Sequence, residues 1–401
     1  MAGREANRDT GRSMRTLAEG ISIHSFDSGA GLLFDSNQQA IFSANPSALA
    51  IWRGLDQRLS PSDVAEFLSE EADLEQATAR QYVAQALRQW RDWRRGLEAE
   101  TAANRQRPRS ARDSKTQLPF KTESLRCYRL LDSGFTLRFD ARLPAARIVT
   151  ALRHLRRDLP RSADERNLVV QPWEQGYAIT EARQVVYSCT REEEILPMVK
   201  AALIDRALAD CDGLGALHAA ALYKDGGSLL FPGASGSGKS CLSAILAAAG
   251  HTLLGDDTLV LSRDASTLRP MPFGICIKDT ALELLSASHP RLEELPRHAR
   301  PDGKQVRYLT PPRIAVADSG RSFPVSAIVF PKIVPDRPSR LDRIALDEAL
   351  QGIVANFTPL GSRLEAADID RLIAWVARRP CYRLEISSLD EARQLLEGLG
   401  A

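Results

Sequence analysis

The spacing of apolar positions changes several times along the chain, and each change marks an element. Ile21-Ser-Ile-His-Ser-Phe26 alternates as a strand does. Asp27 to Gly31 is rich in turn residues, Leu32-Leu-Phe34 opens a second strand, and Gln39-Ala-Ile-Phe42 reads as a third. The period then lengthens to that of helices. Asn45 before Pro46 is a start signal, with Leu49 and Trp52 on one face. Ser60-Pro61-Ser62-Asp63 starts a second helix, with proline at its first position and an acidic residue where a capping box needs one. A third helix is predicted over residues 74–95. Three short strands followed by three helices define a module over residues 21–97, large enough to fold alone.

Strand periodicity returns at residues 127–131 and 135–139. An amphipathic helix is predicted over 144–159, three further strands over 167–170, 176–179 and 184–187, and a long helix over 192–209. Residues 118–212 therefore form an α+β region. A last region, 213–401, opens on a buried strand at 227–231, a glycine-rich loop and an alanine-rich helix at 241–249 that Gly250 is placed to cap. Residues 286–312 are rich in Pro, Arg and His and read as an ordered lid or substrate loop.

Two stretches lack apolar periodicity. Residues 1–20 are polar and expected to be disordered. Residues 98–117 carry Arg105, Arg107, Arg109, Arg112 and Lys115 and read as a basic linker, with a strip for an acidic peptide or nucleic acid as the sharper alternative. Composition bounds the remainder. The chain of 401 residues is 44% hydrophobic and 26% charged, as soluble globular proteins are, and its net charge of +2 gives no global attraction for nucleic acid. No apolar run is long enough to span a membrane, and the N-terminus has no apolar core of a secretory signal. Six cysteines without a C-x-x-C pair read as reduced thiols, so a cytoplasmic location is expected.

The chemistry concentrates at Gly233-Ala-Ser235-Gly236-Ser237-Gly238-Lys239-Ser240. This is a complete phosphate-binding loop, in which glycines let backbone N–H groups curl around phosphate oxygens, Lys239 supplies a point charge and Ser240 can ligate Mg²⁺. It lies between a strand and a helix, so the helix N-terminus adds its partial positive charge. Asp256 and Asp257 follow after one helix and one strand. That spacing predicts a strand beside the loop strand, with both carboxylates at its C-terminal end, where open α/β sheets bind ligands. One carboxylate can orient Mg²⁺ and the other can accept a proton from an attacking hydroxyl. His218 is a candidate partner of Asp256. Lys304, Arg307 and Arg313 are candidate clamps for phosphate or an acidic substrate. A guanine-reading Asn-Lys-x-Asp and a Leu-Ser-Gly-Gly-Gln signature are both missing from the sequence, which disfavours GTPases and ABC-type ATPases.

Together the loop at 233–240, His218 and Asp256-Asp257 resemble the C-terminal domain of HPr kinase/phosphorylase, whose fold is related to phosphoenolpyruvate carboxykinase. Pro380-Cys-Tyr-Arg-Leu-Glu385 followed by Asp390-Glu-Ala resembles the HPr-kinase-related proteins of peptide-modification systems. The resemblance covers about residues 120–401. It implies an α/β P-loop kinase domain binding ATP and Mg²⁺, with Asp256 as general base and Ser240 and Asp257 on the metal. Cys241 stands where the family usually has glutamate, and Met271 to Lys278 stands where Glu-x-Arg-Gly-Leu-Gly is expected. Residues 21–97 resemble PqqD, the precursor-peptide recognition element, in their short strands, the Ala-Leu-Ala-Ile-Trp52 helix and the Leu59-Ser-Pro-Ser-Asp-Val64 helix start. That implies a winged-helix-like α+β module in which a leader peptide adds to a sheet edge, with residues 26–34 and the third helix as receiving surfaces.

The combined expectation is an ATP-dependent kinase acting on a Ser or Thr hydroxyl of a ribosomally made precursor peptide recruited through its leader. Other peptide-modifying enzymes and a second copy of the chain are further expected partners. Two other readings stay open, an ATP-binding peptide chaperone or adaptor without kinase activity, and a small-molecule hydroxyl kinase.

Overall fold

The computed structural model describes residues 20–71, 73–106, 122–157, 165–314, 321–361 and 363–400. The chain divides into two units, Met1–Arg109 with Arg363–Asp370, and Ser110–Ser362 with Arg371–Ala401. The segment expected to be disordered lies outside the described residues except Gly20.

The N-terminal unit opens with β1 (Ile21–Ser25), β2 (Gly31–Asp35) and β3 (Ala40–Ala44), antiparallel and in chain order. Three helices follow, α1 (Pro46–Asp56), α2 (Pro61–Glu71) and α3 (Gln76–Gln106). The start signals act as the sequence indicates. Asn45 Oδ1 accepts from Ala48 N at 2.8 Å, and Ser60 and Asp63 exchange the two bonds of a capping box at 3.2 Å each. Leu49, Ile51, Trp52, Val64, Leu68 and Val83 form the core, and Trp90 meets Trp52 edge-on with ring centroids 4.4 Å apart.

Two expectations are corrected here. The third helix does not stop near residue 95 but continues to Gln106, so the first part of the expected linker is helical. Its residues after Gly96 are mostly Leu, Glu, Ala, Arg and Gln, which favour helix more than one glycine disfavours it. The rest of that linker, with Arg107, Arg109, Arg112 and Lys115, falls outside the described residues. Residues 26–34 are not a free edge either. They form a turn and then the middle strand β2, whose two hydrogen-bonding sides are already taken by β1 and β3.

The second unit is mixed α/β. Its first sheet holds β4 (Thr122–Leu130), β5 (Ser133–Asp140), β6 (Arg166–Trp173), β7 (Gly176–Glu181) and β8 (Gln184–Cys189) in that order. Between β5 and β6 lies α4 (Ala145–Ala151), followed by a 3₁₀ turn and shorter than the predicted helix. After β8, a 3₁₀ turn leads into α5 (Ile195–Ala209), which buries Val199, Ala202 and Leu203 against Tyr128, Phe135 and Phe139.

The chain continues through β9 (Gly213–Leu217), β10 (Ala219–Lys224), β11 (Gly227–Pro232), α6 (Lys239–Ala248), β12 (Thr252–Gly255), β13 (Leu259–Ser262), β14 (Leu268–Arg269) and β15 (Ile275–Lys278). Then come α7 (Leu282–Leu285), β16 (His298–Ala299), β17 (Gln305–Leu309), β18 (Val325–Ile333), β19 (Arg340–Arg343), α8 (Leu346–Val354), β20 (Phe357–Pro359), α9 (Ala366–Ala377), β21 (Cys381–Ile386) and α10 (Leu389–Glu397). The main sheet has the order β12-β10-β11-β18-β21-β19, and smaller sheets have the orders β14-β13-β9-β20 and β15-β17-β16. Part of the expected lid, residues 286–312, is thus the small sheet built on β15.

The main sheet corrects the expected neighbour of the loop strand. β12, which leads to the aspartates, pairs with β10, not with β11. The cause is a hairpin: β10 and β11 are joined through Asp225 and Gly226, both at positive φ, and so occupy one another's edge. β10 runs antiparallel to both neighbours. β11 and β12 therefore point the same way, and the aspartates still emerge at the C-terminal end of the sheet with the phosphate loop.

Candidate functional site

The site is built where β10 begins and where β11 and β12 end. The turn after β11 becomes α6 at Gly238, whose φ of +103° is a left-handed conformation that favours glycine. Lys239 is buried, and its ammonium donates to the carbonyls of Gly233 and, at 3.0 Å, Ala234. Burial pushes the Lys239 pKa below its ordinary value, and the nearby Asp256 and Asp257 charges act in the opposite direction. Ser240 Oγ donates to Asp256 Oδ2 at 2.9 Å, and Cys276 N donates to the same oxygen at 2.9 Å. Gly250 N donates to Ala247 O at 3.1 Å and closes the helix as expected of a capping residue.

Asp256 and Asp257 are adjacent in sequence and opposite in environment. Asp256 is buried, and its Oδ1 has no hydrogen-bond partner among the described residues. Desolvation pushes its pKa up to about 6, against the two hydrogen bonds it accepts. Asp257 Oδ1 lies 3.4 Å from His218 Nε2, and its Oδ2 lies 3.8 Å from Lys200 Nζ. The contact with His218, then the charge of Lys200, hold the Asp257 carboxyl well below the usual carboxylate range. His218 is thus the partner of Asp257, not of Asp256 as the sequence led us to expect. It sits between β9 and β10, where its carbonyl accepts from Gly233 N at 3.5 Å, so the backbone joins it to the phosphate loop.

These groups line one cleft of about 200 Å³, together with Ser235, Gly236, Lys278, Arg300 and several apolar side chains. Lys304, Arg307 and Arg313 do not line it. Lys304 pairs with Asp302 at 3.0 Å, Arg307 with Asp279, and Arg313 Nη1 donates to Gly250 O at 2.9 Å. Each has found a closer acceptor, so the clamp expected of them is not built.

Lys278 and Arg300 line the cleft instead, and Lys200 reaches Asp257 without lining it. Lys278 ends β15 and donates to Ser235 Oγ at 3.1 Å, and Arg300 follows β16. Lys200 comes from α5, with its ammonium 5.6 Å from the ring centroids of both Phe273 and Tyr308. The sequence carried a signal for Lys200, a single charge within the apolar run of residues 195–204, and for Lys278, a charge closing a strand. Arg300 gave none beyond the basic character of its segment.

The arrangement holds a glycine-rich turn at a helix N-terminus, a buried carboxylate with a free oxygen and a second carboxylate held below its ordinary pKa beside His218 and Lys200. Ser240 Oγ and the two aspartates are suitable oxygen donors for a hard cation. Among the described residues no group of three or more His, Cys, Asp or Glu could hold a metal ion alone. All six cysteines are free, and no described helix is long and apolar enough to cross a membrane.

Residues 31–94 match the family model of the coenzyme PQQ synthesis protein D (PqqD). The match supports an N-terminal PqqD-like recognition element for a precursor peptide. No curated protein matches the chain.

Proposed function

We propose that the chain is an ATP-dependent kinase that phosphorylates a Ser or Thr hydroxyl of a ribosomally made precursor peptide, recruited through its leader by the PqqD-like module. The observation that carries this reading is one cleft in which the Ser240 of a phosphate loop bonds Asp256 while His218 pairs with Asp257. Paired carboxylates whose environments push their proton affinities apart divide acid–base work. Asp256, raised to about 6 and with Oδ1 free, takes the proton of the acceptor hydroxyl near neutral pH. That oxygen then attacks the γ-phosphorus, and the bond to the β–γ bridging oxygen breaks to release ADP. Lys239 and Lys278 neutralise the phosphate oxygens. Asp257 stays ionised and, with Ser240, would hold Mg²⁺, which would supply charge stabilisation of the transferred phosphoryl group.

One contact favours a second division of labour. The Ser240–Asp256 hydrogen bond sets Asp256 beside the serine expected on the metal, which would leave Asp257 and His218 to receive the proton. Both versions are kinases and one experiment separates them. The chain is incubated with ATP, Mg²⁺ and the precursor, and phosphopeptide is followed by mass spectrometry. Under the first version Asp256→Asn lowers kcat while Asp257→Asn raises the Mg²⁺ requirement, and under the second the effects exchange. Lys239→Ala lowers the rate by about two orders of magnitude or more in either case. Lack of product, or product undiminished in Lys239→Ala, overturns the peptide kinase and leaves the ATP-binding peptide adaptor and the small-molecule hydroxyl kinase.

A further inference from the structure

Leu284 in α7 and Ile333 at the end of β18 are 62% and 51% exposed, two of four large apolar side chains so exposed among the described residues. Both border the cleft of the phosphate loop, although they come from separate elements. Ile333 lies immediately beside the cradle, since a Cβ placed on Gly238 would be 3.5 Å from its Cγ1. Aliphatic side chains left in water at the rim of a polar cleft match a ligand with an apolar surface joined to a strongly charged end. A nucleobase on a triphosphate has that form, with two flat apolar faces and a polar edge.

The other lining side chains show how such a base is read. His218, Lys239, Ser240, Asp256, Asp257 and Arg300 belong to the phosphate and carboxylate end described above. Among the described residues no Asn or Gln side chain lines the cleft, and the Thr280 hydroxyl beside it can both donate and accept, so it does not separate adenine from guanine. We propose that Leu284 and Ile333 form a nucleobase seat that grips the faces of the ring and leaves its edge unread, so that the site accepts ATP and GTP nearly equally. This rests on the reading of residues 233–240 as a triphosphate cradle.

Calorimetry on the full chain tests both parts, with ATP, GTP and inorganic tripolyphosphate as probes in Mg²⁺. ATP and GTP are expected to bind within about threefold of each other, because burial of a ring face does not distinguish the two purines. The double variant Leu284→Ser/Ile333→Ser should weaken both nucleotides by about tenfold, the loss expected for two partly exposed aliphatic contacts, and leave tripolyphosphate unchanged. Both positions are exposed, so the variant keeps its core. Lys239→Ala should weaken all three probes. Nucleotide affinity unchanged in the double variant overturns the seat, as does a preference above about tenfold for one purine, which needs edge hydrogen bonds. Tripolyphosphate binding that survives Lys239→Ala overturns the cradle itself and the seat with it.

Discussion

Asp256 is a buried carboxyl whose folded pKa is raised from 3.8 to about 6. Below about pH 4 the folded and unfolded chains both hold the proton. As pH rises through 6 the folded chain must carry a buried charge, so the stability available at low pH is lost across that window. Asn keeps the shape and removes the charge. Asp256→Asn is therefore expected to be more stable than the parent at pH 7.5, by up to about 3 kcal/mol from two pKa units at 1.36 each. The gap should close near pH 4. Denaturant unfolding at the two pH values checks it, and a gap that does not narrow with acid would remove burial as the cause. A residue that costs stability at working pH and has one free oxygen in a cleft behaves as functional residues often do.

At the scale of elements, β2 is closed on both sides by β1 and β3, so a strand-forming leader has only the outer edges of β1 and β3 to join. Hydrogen exchange with precursor added should show new amide protection in β1 or β3 and none in β2. Protection confined to the helices would exclude strand addition. The sequence made each of these strands visible through two-residue periodicity, but an edge is a property of pairing, and pairing is not written in one strand. The same limit applied to β12. Asp225-Gly226-Gly227 was a readable hairpin signal, and taking it would have placed β10 between the loop strand and the aspartates. The glycine-rich turn between β11 and α6 was legible because its eight residues set their conformation locally. Lys200, Lys278 and Arg300 were not, because long-range folding brings them together, while Lys304 had its competing acceptor Asp302 two residues away.

At the scale of the whole molecule, the PqqD-like module and the proposed kinase cleft share one chain. If the leader only delivers the acceptor, its effect is one of effective concentration, and the cleft has no need of tight affinity for the modified residue. Excess free leader peptide is then expected to inhibit phosphorylation of the precursor competitively while ATP binding, read by calorimetry, stays unchanged. Inhibition absent at leader concentrations far above its Kd would show that the precursor reaches the cleft without recruitment through its leader. The fold follows the same division. The phosphate end of the site is assembled from neighbours along the chain, β10, β11, α6 and β12.

The partner on the far side of β11 arrives much later. Ser228 and Ser326, joined through Ser326 Oγ and Ser228 O at 3.0 Å, are 98 residues apart. A ribosome adding about 5–20 residues per second needs roughly 5–20 s to cross that interval. Through it Leu229, Leu230 and Phe231 form an apolar strand with one side open, the configuration most prone to pair with another chain. The strand that carries the glycine-rich loop is thus also a point at which newborn chains are exposed to aggregation, and where a chaperone has something to protect.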